Sequence, residues 1–322
     1  MSAYPNAVVI GIGAKLPNTL VHNNDLDPKL ETSHEWIMER TGIEQRYIAG
    51  AGEVTSDLAV GAGLEAIAAA GIDASTIDLV IVATTTPDDT MPSTATKVQH
   101  RLGITKGAAF DINAACSGFI YALTTANSFI KSGAAKRVLV IGAETYSRIM
   151  DWNDRSTCVL FGDGAAALLL EAQDTTERGI LHTAIYSDGQ YTHQLNTTGG
   201  VSSTQTAGVL TMAGKEIFRH AVSKMPEAVQ AGMAALGKTT ADIDWLVPHQ
   251  ANMRILAGVA NKLEIGDEHI ISTVAKHANT SAASIPLALY TGVKDGRIKQ
   301  GQLIACPALG AGLTWGCTII RW

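Results

Sequence analysis

The chain has 322 residues and a net charge of −6, with 46% hydrophobic and 17% charged residues. This composition predicts a folded protein with a sizeable core and excludes a largely disordered chain. Lysine and arginine form no block and aromatic residues are scarce, so we expect no nucleic-acid partner.

Targeting and metal-binding signals are missing as well. No basic segment near the first residue leads into an apolar run, and no stretch reaches the ~18 apolar residues of a membrane span. None of the four cysteines forms a C-x-x-C pair, which would indicate a zinc site. We therefore expect a cytoplasmic protein with reduced thiols, no membrane contact and no metal.

Short β-rich runs alternate along the chain with alanine-rich helical stretches. The predicted elements are a strand at Val8–Gly13, a helix at Ser56–Ala70 ended by Gly71, and strands at Leu79–Ala83, Lys136–Gly142 and Leu303–Cys306. This alternation is typical of an α/β protein with a buried sheet.

An internal repeat divides the chain into two similar halves. Residues 77–82 resemble residues 243–248, and the same shift in numbering places Asn113 on Asn279 and Val138 on Ile304. The register holds without a gap over about 60 positions. We place the junction within Gln173–Gly179, so that the halves are residues 1–175 and 176–322. If they pack about a pseudo-twofold axis, equivalent loops can meet at one site.

The first candidate for chemistry is Cys116, which opens a predicted helix after a strand and has small neighbours on both sides. A thiol at a helix N-terminus lies near the positive end of the helix dipole, so we expect its pKa to be lowered. The other cysteines, Cys158, Cys306 and Cys317, are interpreted as core residues.

Two further candidates lie in the second half. His249 directly follows a predicted strand, and Asn279 lies in a polar loop that begins at Lys276 and enters an alanine-rich helix. Papain-like proteases also use Cys, His and Asn, with the His ~130–150 residues after the Cys, and the spacing from Cys116 to His249 falls within that range. The surroundings argue against that class, because the Cys-Gly-Ser-Cys-Trp signature is absent and the halves are repeated.

Taken together, the motifs resemble those of the β-ketoacyl-acyl carrier protein synthase III family, the initiating condensing enzymes of bacterial type II fatty acid synthesis. The motifs that carry this resemblance are Glu35–Ile37, Arg40–Ile43, Asn113–Phe119, Phe161–Gly164, His249–Asn252, Asn279–Ala283 and Gly312–Gly316. The resemblance covers essentially the whole chain and implies a thiolase fold, in which duplicated β/α halves form five αβαβα layers, in a homodimer.

The family's chemistry implies a role for each candidate. Cys116 would be the nucleophile that accepts an acyl group from acyl-coenzyme A, with the backbone N–H groups of Cys116 and Ala311 as the oxyanion hole. His249 and Asn279 would hold the malonyl thioester and stabilise the enolate formed as CO₂ leaves. A neutral imidazole with its proton on Nε2 would serve best. The products would be 3-oxoacyl-acyl carrier protein, CO₂ and coenzyme A, with acyl-coenzyme A as a substrate and no resident cofactor.

The resemblance also implies three binding regions. The residues expected to bind coenzyme A are Trp36, Arg40, Arg155 and Asn252. The residues expected to receive malonyl-acyl carrier protein are Arg219, Arg254 and Lys262, of which the last two are eight apart on one side of a helix. Met91 is expected to cross the dimer and floor the acyl pocket.

Because of two departures from the family pattern, the sequence leaves more than one acyl group possible as the primer. Ala278 stands where the family usually has glycine before the asparagine, and Ala311 stands in a glycine-rich turn. Acetyl is the expected primer, and the alternative is a ketosynthase of the same family that takes a longer or branched primer or serves secondary metabolism. A Cys-His-Asn thiol hydrolase and a non-catalytic coenzyme A-binding module are more distant alternatives.

Overall fold

The computed structural model describes residues 5–26 and 28–322, which form two main β-sheets around a shared layer of helices. The elements up to residue 173 are β1 Asn6–Lys15, β2 Thr19–His22, α1 His34–Thr41, β3 Gln45–Ile48, α2 Thr55–Ala70, β4 Leu79–Ala83, α3 Thr94–Arg101, β5 Ala108–Ile112, α4 Gly118–Lys131, β6 Arg137–Glu144 and β7 Gly164–Gln173. Those that follow are β8 Gly179–Ser187, β9 Leu195–Thr197, β10 Leu210–Met212, α5 Gly214–Ala235, β11 Trp245–Leu246, α6 Met253–Leu263, α7 Val274–His277, α8 Ser284–Lys294, β12 Leu303–Gly310 and β13 Thr314–Arg321.

The main sheets stack as the second and fourth of five layers. The first sheet has the strand order β1-β7-β6-β4-β5 and the second β11-β12-β13-β8. Helices α2 and α3 cover the outer face of the first sheet, and α5, with α6 packed on it, covers that of the second. Helices α4 and α8 lie between the sheets in a common apolar core. This is the predicted αβαβα architecture of the thiolase fold.

The predicted elements are confirmed, with small shifts at their ends. Strand β4 is buried along its whole length and pairs in parallel with β6, as expected of a continuous Val/Ile/Leu run inside a sheet covered on both faces. Helix α2 ends at Gly71, whose φ of 64° is a left-handed conformation that suits glycine. Strand β12 continues past the predicted end at Cys306 to Gly310, and that extension carries it to the nucleophile.

The repeat is visible in the backbone register. Leu79 pairs with Val138 in the first half, and Trp245 pairs with Ile304 in the second, so the shift in numbering seen in the sequence relates one pair to the other. The same shift relates the 3₁₀ turn at Ala115–Ser117 to that at Ser281–Ala283. The halves are therefore alike in hydrogen bonding as well as in sequence.

The equivalent turns meet, as the repeat predicted. The turn at Ala115–Ser117 contacts the turn at Ser281–Ala283, and each also contacts a strand of the other half, β12 and β6 respectively. Residues 174–178 connect the last strand of the first sheet to the first strand of the second. We propose residue 175 as the boundary on that ground, although α4 and α8 share one core. Within residues 5–26 and 28–322, no helix is both long and apolar enough to span a membrane.

Candidate active site

Cys116, His249 and Asn279 line one cavity of about 380 Å³ at the junction of the halves. All three are nearly inaccessible, with exposed fractions of 6%, 3% and 6%. Cys116 lies in the turn after β5, His249 follows β11, and Asn279 precedes the turn that leads into α8. The topology thus brings together one side chain from the first half and two from the second.

The backbone around Cys116 is held in an unusual conformation. Ala115 has a φ of 47°, and its N–H points toward Oδ1 of Asn113 at 3.4 Å. A methyl group on Gly310 would lie only 2.7 Å from the backbone nitrogen of Cys116, so no larger residue fits there. The end of β12 therefore passes directly over the backbone N–H of the nucleophile.

A threonine links that strand end to the nucleophile turn. The Thr314 hydroxyl lies 3.0 Å from the carbonyl oxygen of Ala114 and 2.9 Å from that of Ala311, so its one proton is shared between two acceptors. In return, the Ser117 hydroxyl donates to the carbonyl oxygen of Thr314 at 2.9 Å. These bonds keep the Ala311 turn beside Cys116.

The Cys116 thiol is harder to ionise than the sequence predicted. Burial raises its pKa to about 12, and the negative charge of Glu144 adds to this effect. The expected lowering by the helix N-terminus is therefore wrong for the unliganded protein, because burial removes the thiolate from water. The resting nucleophile is a neutral thiol.

His249 is held as a neutral imidazole. Burial lowers its pKa to about 3, in agreement with the predicted neutral form. Its backbone N–H donates to the carbonyl oxygen of Pro307 at 2.9 Å, which continues the pairing of β11 with β12 past Pro248. Its Nδ1 lies 2.7 Å from the Ser284 hydroxyl.

Asn279 is fixed on both sides. Its backbone N–H donates to the carbonyl oxygen of Leu160 at 2.9 Å, and its carbonyl oxygen accepts from the N–H of Gly162 at 3.0 Å. Its side-chain Oδ1 accepts from the N–H of Ser281 at 2.9 Å. With the oxygen engaged, the amide Nδ2 remains as the hydrogen-bond donor of this side chain in the cavity.

The residues expected to bind coenzyme A line the same cavity, namely Trp36, Arg40, Arg155 and Asn252. The guanidinium carbons of Arg40 and Arg155 lie 4.4 and 5.3 Å from the centre of the Trp36 ring. Asn252 also caps α6, since its Oδ1 accepts from the N–H of Ile255 at 2.9 Å. Apolar side chains complete the wall, among them Leu195, Met212, Ile217, Met225 and Leu309.

The three predicted docking residues are exposed, and one of them lines the cavity. Arg254 lines the cavity and donates to the carbonyl oxygen of Glu39 at 3.0 Å, and Lys262 lies about two turns further along α6. Arg219 is on α5, which packs against α6. Met91 is 84% exposed and does not line the cavity that contains Cys116 of its own chain.

Sequence reasoning overlooked three residues at this site. Ser284 and Thr314 stand inside or beside motifs that were recognised, but no pattern in the sequence shows which hydroxyl reaches which group. Glu144 ends β6 and is fully buried, and it accepts hydrogen bonds from Thr84, Thr85 and Thr86. Burial raises its pKa to about 7. A carboxylate at the end of a buried strand was the available signal for Glu144. No group of three or more His, Cys, Asp or Glu side chains in the described part of the chain could hold a metal ion.

The stacked α/β halves, with a cysteine at the central turn of one and a histidine and an asparagine in the other, define the class of thiolase-fold condensing acyltransferases. Two family profiles match the chain, that of 3-oxoacyl-[acyl-carrier-protein (ACP)] synthase III over residues 110–189 and that of its C-terminal domain over residues 233–322. The chain belongs to the 3-oxoacyl-[acyl-carrier-protein] synthase III family.

Individual relatives agree over the full length. The β-ketoacyl-[acyl-carrier-protein] synthase III of Brucella suis is 54% identical over 320 residues, which cover 98% of this chain and 99% of that protein. The crystal structure of 3-oxoacyl-[acyl-carrier-protein] synthase III from Aquifex aeolicus superposes with a TM-score of 0.94 at 44% identity, covering 98% and 100% of the two chains. The priming β-ketosynthase of the R1128 polyketide biosynthetic pathway superposes with a TM-score of 0.93 at 32% identity, covering 98% and 96%.

Proposed function

We propose that this acyltransferase moves the acyl group of acyl-coenzyme A onto Cys116 and condenses it with malonyl-acyl carrier protein, which starts fatty acid synthesis. The products are 3-oxoacyl-acyl carrier protein, CO₂ and coenzyme A. The observation that carries the proposal is the convergence of Cys116, His249 and Asn279 in one narrow cavity, with Trp36 and two arginines along its wall. The 54% identity to the Brucella suis synthase III, against 32% to the polyketide priming enzyme, supports a role in primary metabolism, and we propose acetyl as the primer.

The first half-reaction is acyl transfer. The sulfur of Cys116 attacks the thioester carbonyl, the bond to the coenzyme A sulfur breaks, and the thiol proton goes to that departing sulfur. The backbone N–H groups of Cys116 and Ala311 donate to the oxygen that becomes negative in the tetrahedral intermediate. The close approach of Gly310 and the shared Thr314 hydroxyl support this role, because they keep both N–H groups in place.

The second half-reaction is decarboxylation and condensation. The bond from the malonyl carbon to its carboxylate breaks, and the electron pair passes into a thioester enolate. Nε2–H of His249 and Nδ2–H of Asn279 donate to the enolate oxygen. The enolate carbon then attacks the acyl carbonyl on Cys116, the bond to sulfur breaks, and the departing thiolate takes up a proton from water. The low pKa of His249 supports a donor that is neutral throughout.

Two sets of residues are candidates for binding the two substrates. We propose that Trp36, Arg40, Arg155 and Asn252 bind coenzyme A, and that the exposed Arg219, Arg254 and Lys262 bind the acidic carrier protein. The 84% exposure of Met91 supports a role across a homodimer interface, where it would floor the partner's acyl pocket. We place the enzyme in the cytoplasm, with acyl-coenzyme A as a substrate and no resident cofactor.

Two measurements on the same variants test this division of labour. Intact mass after incubation with acetyl-coenzyme A reports acyl transfer, and radiolabelled CO₂ released from malonyl-acyl carrier protein reports decarboxylation. Cys116→Ala should lose the acetyl adduct. His249→Ala and Asn279→Ala should keep the adduct and lose ~10²–10³ in CO₂ release, the usual cost of one oxyanion donor.

The control is His182→Ala, which removes a half-buried imidazole from β8, away from the cavity. This variant should perform both half-reactions at near the normal rate. If His249→Ala blocked acetylation as fully as Cys116→Ala, His249 would be the base of a Cys–His pair, and the proposed division would be wrong.

A further inference from the structure

Ser284 contacts the imidazole of His249 on the side away from the substrate nitrogen. Ser284 is the first residue of α8 and is 1% exposed, and its Oγ lies 2.7 Å from Nδ1 of His249. The backbone N–H of Gln250 points to the same oxygen at 3.3 Å. The hydroxyl therefore has one incoming N–H and one ring nitrogen as neighbours.

The equivalent pair in the first half is apolar. The repeat places His249 on Ala83 and Ser284 on Gly118. A Cβ built on Gly118 would lie 3.3 Å from the Cβ of Ala83, so these two positions face one another there as well. The fold thus brings these two equivalent positions together in both halves, and the first half shows that it can do so without a polar contact between them. Only the half that contains the candidate enolate donors has a histidine and a hydroxyl at this place.

The proton count decides the direction of the hydrogen bond. A buried imidazole with a pKa of about 3 carries one proton, on either Nδ1 or Nε2. Among the residues described, the Ser284 hydroxyl has no acceptor other than Nδ1 of His249, and its oxygen already receives the Gln250 N–H. Donation from Ser284 to Nδ1 satisfies all three groups. The reverse direction is unfavourable, because it would leave the buried hydroxyl proton without an acceptor.

We propose that Ser284 is a positioning residue that fixes the tautomer of His249, because its hydroxyl donates to Nδ1 and so leaves the proton on Nε2. The proposal rests on the proposed function, in which Nε2–H donates to the enolate. With the proton on Nδ1, the ring would present a lone pair to that oxygen and repel it. The N-terminus of α8, at Ser284, further disfavours a charged ring.

The first test reads the tautomer without reference to activity. In full-length protein labelled with ¹⁵N-histidine, the ring of His249 is assigned by its absence in His249→Ala. Wild-type protein should show a protonated Nε2 and an unprotonated, hydrogen-bonded Nδ1. In Ser284→Ala the Nδ1 signal should move downfield, because that nitrogen loses its donor. A proton on Nδ1 in the wild type would overturn the proposal, even if His249 proves essential for decarboxylation.

The second test asks whether Ser284 acts through His249. Ser284→Ala should reduce CO₂ release about tenfold and leave formation of the acetyl adduct unchanged, and Ser284→Thr, which keeps a hydroxyl, should restore most of the loss. In the His249→Ala background, Ser284→Ala should reduce CO₂ release less than about twofold, since the imidazole through which Ser284 acts is absent.

Thr291→Val is the matched control, because Thr291 lies on the same helix and its hydroxyl donates only to the carbonyl oxygen of Leu287 at 2.9 Å. Its CO₂ release should stay normal. If Ser284→Ala reduced CO₂ release equally with and without His249, Ser284 would not position the imidazole and would have only a structural role. Failure of the proposed function would look different, since His249→Ala would then retain CO₂ release whatever the tautomer.

Discussion

Ala278 provides a test of backbone strain beside the active site. It has φ 57° and ψ −159°, a conformation found essentially only for glycine, and it directly precedes Asn279. Its methyl group is fully buried in the apolar core and does not line the cavity, so it does not narrow the site. The departure from glycine noted in the sequence therefore affects stability rather than substrate access.

The free energy of this backbone strain can be measured by comparison with an alanine that is not strained. Ala278→Gly releases strain of about 1–3 kcal/mol, but it also removes a buried methyl and makes the unfolded chain more flexible. Ala288→Gly, in the middle of α8 and equally buried, has the same losses without strain release. The free energies of unfolding of the two variants should therefore differ by about 1–3 kcal/mol in favour of Ala278→Gly.

Urea denaturation of both variants at one protein concentration measures this difference, since a concentration change would shift the stability of an oligomer. The m-values should agree, so that the midpoints report stability alone. If Ala278→Gly were as destabilised as Ala288→Gly, the backbone at residue 278 would not be strained, and the argument would fail.

Four further outcomes are expected. Thr314→Val should slow acetyl transfer more than CO₂ release and lower the free energy of unfolding by about 1 kcal/mol; equal slowing of both half-reactions would contradict its assignment to the nucleophile turn. Above the Glu144 pKa of about 7, Glu144→Gln removes a negative charge that raises the pKa of Cys116, so iodoacetamide should alkylate the thiol faster there; an unchanged rate would show that the charge has no effect. Burial lowers the pKa of His249 from 6.5 to about 3, so unfolding takes up a proton below pH ~6.5. Stability should then fall with decreasing pH more steeply in the wild type than in His249→Asn, and parallel urea midpoints would refute a buried neutral ring. Met91→Phe should shorten and Met91→Ala lengthen the accepted primer, and an identical chain-length profile in both would remove Met91 from the pocket.

The residue pattern predicted the architecture because hydrophobic periodicity and the repeat are local properties of a chain. Runs rich in Val, Ile and Leu within Leu79–Ala83 and Lys136–Gly142 indicated buried strands, and the repeat placed residues 77–82 on 243–248 and Val138 on Ile304. The structure shows the matching strand pairs, Leu79 with Val138 and Trp245 with Ile304. The identities of the three candidate catalytic residues followed from motifs that lie within a few positions of each one.

Other properties of the site depend on groups that are remote in sequence. The pKa of Cys116 is raised because the turn is buried between two halves and lies near Glu144, whereas the local motif alone predicted the opposite direction. Arg40 and Arg155 flank Trp36 although Arg40 belongs to α1 and Arg155 to the loop between β6 and β7.

The hydroxyls of Ser284 and Thr314 likewise reach groups in distant parts of the chain, the ring of His249 and the carbonyl oxygen of Ala114. Burial, charge and hydrogen-bond direction are sums over all atoms near a group in space, and only the folded chain determines which atoms those are.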